Sequence, residues 1–370
     1  MKITLIGPVY PYRGGIAHFT TLLALKLKES GHDVQVISFR RQYPKNLYPG
    51  KSEKDESDGR VRVSAEFIFS PLNPLDWKKT ARAIKTFQPD KVIFQWWVTF
   101  WGPAYRSLMK DFGKAGIETV AVVHNTFPHE TRFMDKYLAK STLKWASRYI
   151  VMNDQEASRL EELLGEGGNI SLRPHPIYRL FASSGLDKDQ VRLELGLPKD
   201  SLIVLFFGFV RPYKGLEILL DSLSILQSKG SQVHLLVAGE FWDDRGKYDQ
   251  RIRELQLEKI VHIYDHYIPD AQAGKFFEAS DVFVAPYLQG TQSGVIKLAL
   301  GYGLPIVVTE VISDTLLRDL PEICTIVPAR DASALAEGII NASTKARLSD
   351  EETTQLFASS WEFFIQGITG

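Results

Sequence analysis

Short apolar runs alternate along the chain with segments whose apolar residues recur every three or four positions. Ile3 to Ile6, Val34 to Ser38, Leu202 to Phe207 and Val233 to Ala238 are continuous, the pattern of strands buried on both faces. Leu22, Leu23 and Leu27, and again Leu219, Leu220, Leu223 and Leu226, repeat at helical spacing. The pattern predicts one arrangement twice. Ile3 to Ile6 leads through a Gly14-Gly15 loop to a helix around His18 to Ser30, and Leu202 to Phe207 leads through Gly208 to Gly215 to a helix around Leu216 to Lys229. Lys91 to Gln95, Thr119 to His124 and Arg148 to Met152 add strands to the first half; Val261 to Tyr264, Val282 to Ala285 and Ile306 to Thr309 add strands to the second. Strands alternating with helices build parallel sheets through right-handed crossovers. Arg173-Pro174-His175-Pro176 and the polar stretch Ser183 to Gln190 read as a linker, so we expect two doubly wound α/β domains joined near residue 180. Ligands of such sheets bind beyond the carboxyl ends of the strands, and two such domains facing each other form a cleft.

The length of 370 residues suits two domains, and 44% hydrophobic with 24% charged residues is ordinary globular composition. Collagen-like, disordered and disulfide-stapled classes are excluded. The 44 Lys+Arg balance 44 Asp+Glu, which taken alone argues against nucleic acid or an anionic membrane as partner. The balance conceals a split: residues 1–180 hold 27 basic against 18 acidic residues, and 181–370 hold 17 against 26. The lone Cys324 excludes an intrachain disulfide and fits a reducing compartment, and no cysteine spacing suits a metal. The run Met1 to Gly7 is too short for a signal peptide, and no run approaches the ~18 apolar residues of a membrane span. We expect a cytoplasmic protein, soluble or peripheral.

Three loops suit an anion. Gly14-Gly15 opens a helix, where free N–H groups and the positive helix end receive a phosphate; the alternative is a tight turn that merely needs glycine. The motif is not G-x-G-x-x-G and Phe39-Arg40-Arg41, not an acid, follow the second strand, so a dehydrogenase is disfavoured. Gly208 to Gly215 sets Arg211 and Lys214 three residues apart, a planar donor fork and a mobile point charge that suit a diphosphate, or else a solvated basic turn. The loop Gly290 to Gly294, with Thr291, Gln292 and Ser293, then starts a helix near Ser293 whose first amides form a third anion site. Together they point to a nucleoside diphosphate.

Gly14-Gly15 with Gly31-His32-Asp33-Val34, then Gly208 to Gly215, then Gly303-Leu304-Pro305-Ile306-Val307-Val308-Thr309, resemble in order and spacing family 4 of the retaining GT-B glycosyltransferases, the group 1 enzymes. The resemblance covers nearly the whole chain. It implies an α/β GT-B fold of two Rossmann-like domains facing a cleft: an acceptor domain over 1–180, a nucleotide-sugar domain over 181–356, and a helix over 357–370, with Trp361 to Ile368, crossing back to the first. It implies a metal-independent hexosyltransferase with no cofactor beyond its sugar-nucleotide substrate. Arg211 and Lys214 would neutralise the leaving diphosphate, and His124 would stand near the transferred sugar. Gly14, Gly15, Gly208, Tyr267, Ile268 and Thr291 to Val295, that is Thr291, Gln292, Ser293, Gly294 and Val295, would bind the donor. This chain departs from the pattern at Gly290 and Leu298, where the family has glutamates, at Phe209, where it has arginine, and at Val311-Ile312-Ser313, where it has a diglycine. Gln292 or Lys297 is expected to take over polar contacts.

On the acceptor side, Gln95-Trp96-Trp97-Val98-Thr99-Phe100-Trp101 follows a strand, and Trp96 and Trp97 are expected to stack on a sugar or anchor an acyl chain unless they pack in the core. Asn125 and His129 are expected beside them. Basic residues concentrate between Arg40 and Arg62 and again in Trp77, Lys78, Lys79, Arg82 and Lys85 on one predicted helix. That helix is either a solvated face or a contact with an anionic membrane surface. The expected function is transfer of a sugar from a UDP- or GDP-linked donor to a glycan or polyprenyl/lipid-linked acceptor in cell-surface polysaccharide or glycolipid synthesis, at the inner face of the plasma membrane. The two missing glutamates keep two alternatives open: a catalytically silent sugar-nucleotide-binding protein, and a related GT-B epimerase or hydrolase.

Overall fold

The computed structural model describes residues 1–43, 54–55, 61–127, 133–165, 167–181 and 185–370. The chain divides into two compact units, Met1–His175 with Ser360–Gly370, and Pro176–Ser359.

The first unit carries a seven-stranded parallel sheet of β1 (Lys2–Ile6), β2 (Asp33–Phe39), β3 (Glu66–Phe69), β4 (Lys91–Trp96), β5 (Glu118–Val123), β6 (Arg148–Val151) and β7 (Ile170–Leu172). Its order is β3-β2-β1-β4-β5-β6-β7, so the direction of winding reverses between β1 and β4. The second unit carries six strands, β8 (Leu202–Phe207), β9 (Val233–Ala238), β10 (Val261–Tyr264), β11 (Val282–Ala285), β12 (Ile306–Thr309) and β13 (Cys324–Val327), in the order β10-β9-β8-β11-β12-β13. The same plan is therefore repeated, with its reversal between β8 and β11. At such reversals the loops leaving the carboxyl ends diverge and open a crevice for a ligand.

The cores differ in kind. The first unit buries Phe39, Phe69, Phe94, Trp96, Trp101 and Tyr105 against one another, whereas the second interdigitates leucines of the helix Leu216–Ser228 with Leu335 and Ile339. Edge strands β3, β7 and β13 have no continuous apolar run longer than three residues and were not expected from the pattern. The expected linker Ser183 to Gln190 needs correction. A helix, Lys188–Glu194, starts inside it because Asp187 and Gln190 form a reciprocal capping box.

The final helix, Asp350–Thr369, starts before residue 357, and Ser360–Gly370 belongs to the first unit. There Trp361 and Phe364 pack on Phe19, with ring centroids 5.7 and 5.3 Å away. Lys91 and Arg148 donate to the carbonyls of Ile368 (3.1 Å) and Gly367 (3.2 Å), cations at the negative end of the helix. Among the described residues no helix is long and apolar enough to cross a membrane.

Candidate functional site

In the second unit the chain leaves β8 through Gly208, at φ +99°, and reaches the helix Leu216–Ser228 through Gly215, at φ +73°. Both conformations favour glycine. Close approach adds a second demand: a Cβ on Gly215 would lie 2.0 Å from the Pro286 carbonyl oxygen. The Leu288 amide donates to the Tyr213 carbonyl (2.7 Å), so the loops after β8 and β11 are fastened together at the reversal of the sheet.

Lys214 is buried at this junction, 7% exposed, which rules out a solvated basic turn. Its ammonium lies 5.5 Å from the centroid of the Tyr287 ring, and the Arg211 guanidinium lies 4.6 Å from that of Trp242. Among the described residues neither cation has a carboxylate partner. Other arginines of the unit do: Arg192 pairs with Asp281, Arg245 with Asp249 and Arg251 with Asp221. Burial, the largest cause, lowers the Lys214 pKa; Tyr213 opposes it and neighbouring Arg211 adds to it.

The Gly290 to Gly294 loop and the helix it starts meet the Gly208 to Gly215 loop. A Cβ on Gly208 would lie 3.2 Å from Lys214 Nζ and 3.4 Å from Val295 Cγ2. The Tyr287 hydroxyl shares a hydrogen bond with Ser293 Oγ (3.1 Å), the residue that begins the helix Gly294–Gly301. Thr291 is buried, and Gln292 to Val295 are half-buried. Gly294 has a local cause: its Cβ would come 3.1 Å from the Tyr178 ring. Tyr267 and Ile268 follow β10 at the same end of the sheet.

The departures have physical causes. Gly290 sits at φ +144°, with Ile312 Cδ1 3.0 Å from where a Cβ would be, and Leu298 is buried, so neither position presents an acid. The expectation for Lys297 is overturned: its Nζ pairs with Asp314 Oδ2 at 2.7 Å, both side chains buried, and Asp314 also accepts from the Leu317 amide. A lysine neutralised in this way is not available to a ligand.

In the first unit Gly14 lies at φ +99° and begins the helix Gly15–Glu29, with open space within 4 Å of both glycines' Cβ positions. The helix begins three residues before His18. His124, at the end of β5, is only 3% exposed; it packs edge-on against Phe19 at 4.9 Å, and its Nε2–H donates to Gln95 Oε1 at 2.7 Å. Burial, with a further contribution from His175, pushes its pKa down to about 3. The ring is neutral at physiological pH. The Thr126 amide donates to the buried carboxylate of Glu156 (2.6 Å), which anchors the segment after His124.

Trp96 must be removed from the acceptor contacts: it has no exposed surface and its indole N–H donates to the Thr126 carbonyl. Trp97 is half-buried, edge-on to Trp101 at 4.0 Å, and Asn125, next to His124 in the sequence, is half-buried as well. His129 lies outside the described residues. On the helix Pro74–Phe87, Lys78, Lys79, Arg82 and Lys85 are exposed, and Lys85 pairs with Asp111 at 2.7 Å. Trp77 is turned inward, its indole N–H on the Ser70 carbonyl, while Leu72 and Leu75 are 52% and 72% exposed. A groove of about 870 Å³ runs between this helix and Gly102–Lys114, lined by Trp77, Lys78, Arg82 and Leu108. Among the described residues no cluster of three or more His, Cys, Asp or Glu is placed to hold a metal ion.

Trp242 and Tyr287, which hold the two cations, were not expected from the sequence. The signal for Trp242 was Gly239-Glu240-Phe241-Trp242 directly after β9, the neighbour of β8 in the sheet.

Residues 201–345 match the family model described as glycosyl transferases group 1, and residues 13–178 the model described as glycosyltransferase family 4. The chain is 31% identical over 149 residues to a phosphatidyl-myo-inositol mannosyltransferase of Mycobacterium leprae, a match spanning 39% of this chain and 38% of that protein. It is 24% identical to a D-inositol 3-phosphate glycosyltransferase of Acidothermus cellulolyticus over 96% of this chain and 85% of that one. Its fold matches the crystal structure of Anabaena HepE in complex with UDP-glucose at a TM-score of 0.73 and 18% identity, covering 100% of this chain and 99% of that one.

Proposed function

The chain belongs to the group 1 and family 4 glycosyltransferases, and from that premise we propose that it moves a sugar from a UDP- or GDP-linked donor to a glycan or lipid-linked acceptor with retention of anomeric configuration. The observation that carries the donor half is the pair Arg211 and Lys214, two cations held by aromatic faces without carboxylates at the reversal of the sheet. Cleavage of the donor leaves a diphosphate whose charge grows towards the transition state, so cations fixed there strengthen their hold as the bond breaks. The first amides of the helix Gly294–Gly301 add to that field. In this reading the two side chains supply the positive charge and the step is metal-independent. The solved complex of HepE with UDP-glucose, and relatives named as mannosyl- and inositol-phosphate glycosyltransferases, support a nucleotide-sugar donor and a glycolipid or polysaccharide product.

His124, neutral and fixed by Gln95, serves as a hydrogen-bonding group beside the transferred sugar and not as an acid. Trp97 and Asn125 contact the acceptor. The exposed cations of the helix Pro74–Phe87, with Leu72 and Leu75, hold the protein peripherally on an anionic membrane.

Incubation with labelled UDP- and GDP-sugars and a bacterial lipid extract tests the reading. We expect label in a lipid or glycan fraction, and Lys214→Ala is expected to lower turnover by about 10²- to 10³-fold, the scale of losing one transition-state charge partner. Turnover of Lys214→Ala at the wild-type rate overturns the assignment. Gly290 and Leu298 favour a second reading, a donor-binding protein without transfer, because neither offers an acid. That protein would gain ~2.7 kcal/mol of stability at 100 Kd of donor yet release no labelled sugar to any acceptor.

A further inference from the structure

We propose that Trp242, stacked on Phe209, is the positioning residue that holds the Arg211 guanidinium for the donor diphosphate without neutralising it, a role that rests on the nucleotide-sugar reading above. The segment after β8 continues as extended backbone: Val210 forms an isolated parallel bridge with Phe241, its amide donates to the Glu240 carbonyl (3.0 Å), and the Trp242 amide donates to the Val210 carbonyl (3.0 Å). Arg211 remains extended at φ −136°, ψ 153°. Side chains alternate along such a segment, so Phe209 and Arg211 share one face while Val210, fully buried, takes the other. Trp242 covers the shared face. Its ring stacks on Phe209 at 4.1 Å and 29°, and the Arg211 guanidinium lies over it at 4.6 Å.

The choice of an aromatic partner has a chemical consequence. A carboxylate would fix the guanidinium but cancel its charge and occupy its N–H fork, as at Arg192 and Arg251. An indole face fixes the plane of the guanidinium and leaves its N–H groups, which point outward in that plane, for a bidentate phosphate contact. Lys214, a few residues on, is held over Tyr287 in the same way. Two unneutralised cations side by side repel each other, and an arriving diphosphate is the counter-ion that removes the repulsion.

The test is a double-mutant cycle read by calorimetric titration with UDP and with GDP on wild type, Trp242→Leu, Trp242→Phe, Arg211→Ala and the Trp242→Leu/Arg211→Ala double variant. Trp242→Leu is expected to weaken the bound nucleotide by roughly 5- to 30-fold, the span of a cation–π contact. Trp242→Phe should recover most of that loss, and the double variant should bind no more weakly than Arg211→Ala alone. If Trp242→Leu weakens binding as much in the Arg211→Ala background as in wild type, Trp242 acts on the fold and not through Arg211, and the proposal is overturned. Should Trp242→Leu fail to fold, Trp242→Met, which also removes the aromatic face, carries the same cycle with Arg211→Ala. Wild type that binds neither UDP nor GDP overturns the donor reading itself, an outcome separate from additivity.

Discussion

The two units repeat one strand plan and use its carboxyl edge in opposite ways. In the first, the residue at the end of β5 is a histidine kept neutral by burial, and a cluster of exposed cations stands outside, on the helix Pro74–Phe87. In the second, the more acidic part of the sequence, two unneutralised cations are drawn in beside the switch point. The net charge of a domain and the charge of its site are thus separate quantities. Surface charge sets what a domain approaches; a site's charge is set by which few groups are denied a partner.

The largest way to break the comparison acts on packing. Gly301, within the helix Gly294–Gly301, would carry a Cβ only 1.7 Å from the Tyr178 carbonyl oxygen, a backbone atom that cannot swing aside. Gly301→Ala should therefore destabilise the second unit by about 3 kcal/mol or more, despite the better helix propensity of alanine. Gly113, in the helix Gly102–Lys114 of the first unit, meets nothing within 4 Å. There the same substitution should stabilise by up to about 1 kcal/mol. Urea melts of the two variants check both signs; equal effects would mean that the crossing of Tyr178 over the helix is not tight.

That contrast also marks what the sequence could reveal. Central strands such as β4 and β8 announce themselves because both faces are buried, and the glycines at 208 and 215 mark a tight loop whatever packs on it. Edge strands β3, β7 and β13 are short and carry mixed residues because part of each meets water, so no long apolar run betrays them. The loop cations were legible from their spacing, but their aromatic partners were not. Trp242 and Tyr287 reach Arg211 and Lys214 from loops after other strands, and such contacts follow from the strand order, which no local pattern contains. Trp96 and Trp97 show the same limit: adjacent in sequence, one is fully buried and the other half-buried, a difference that no local pattern announces.

A smaller effect comes from acid. The folded pKa of His124 is pushed down to about 3, below its ordinary value of 6.5. Between those values the unfolded chain takes up a proton that the folded state refuses, so the first unit should lose about 1.4 kcal/mol for each pH unit of acidification below ~6.5. The half-buried His234 and His262, Nδ1 to Nε2 at 3.0 Å, are shifted downward as well and act with the same sign in the second unit. His124→Gln separates the two. Denaturant midpoints at pH 7.5 and 5.5 should show the variant losing about 1 kcal/mol less than wild type on acidification. An identical loss in both would place the acid sensitivity elsewhere.

The smallest effect concerns the cations that stand outside. Near an anionic surface each is worth about 1 kcal/mol, and salt screens it over about 8 Å at physiological ionic strength. Lys79→Glu with Arg82→Glu should release the protein from anionic vesicles at low salt, by roughly 5-fold or more per reversed charge, while leaving nucleotide binding in the second unit unchanged. Lys85 should matter less, because Asp111 already holds it. Leu75→Asp is the complementary change: it removes an apolar contact without touching the cations, so its effect should survive in high salt. If charge reversal alters nucleotide affinity but not vesicle retention, the division between an outward-facing basic surface and an inward-facing cationic site is wrong.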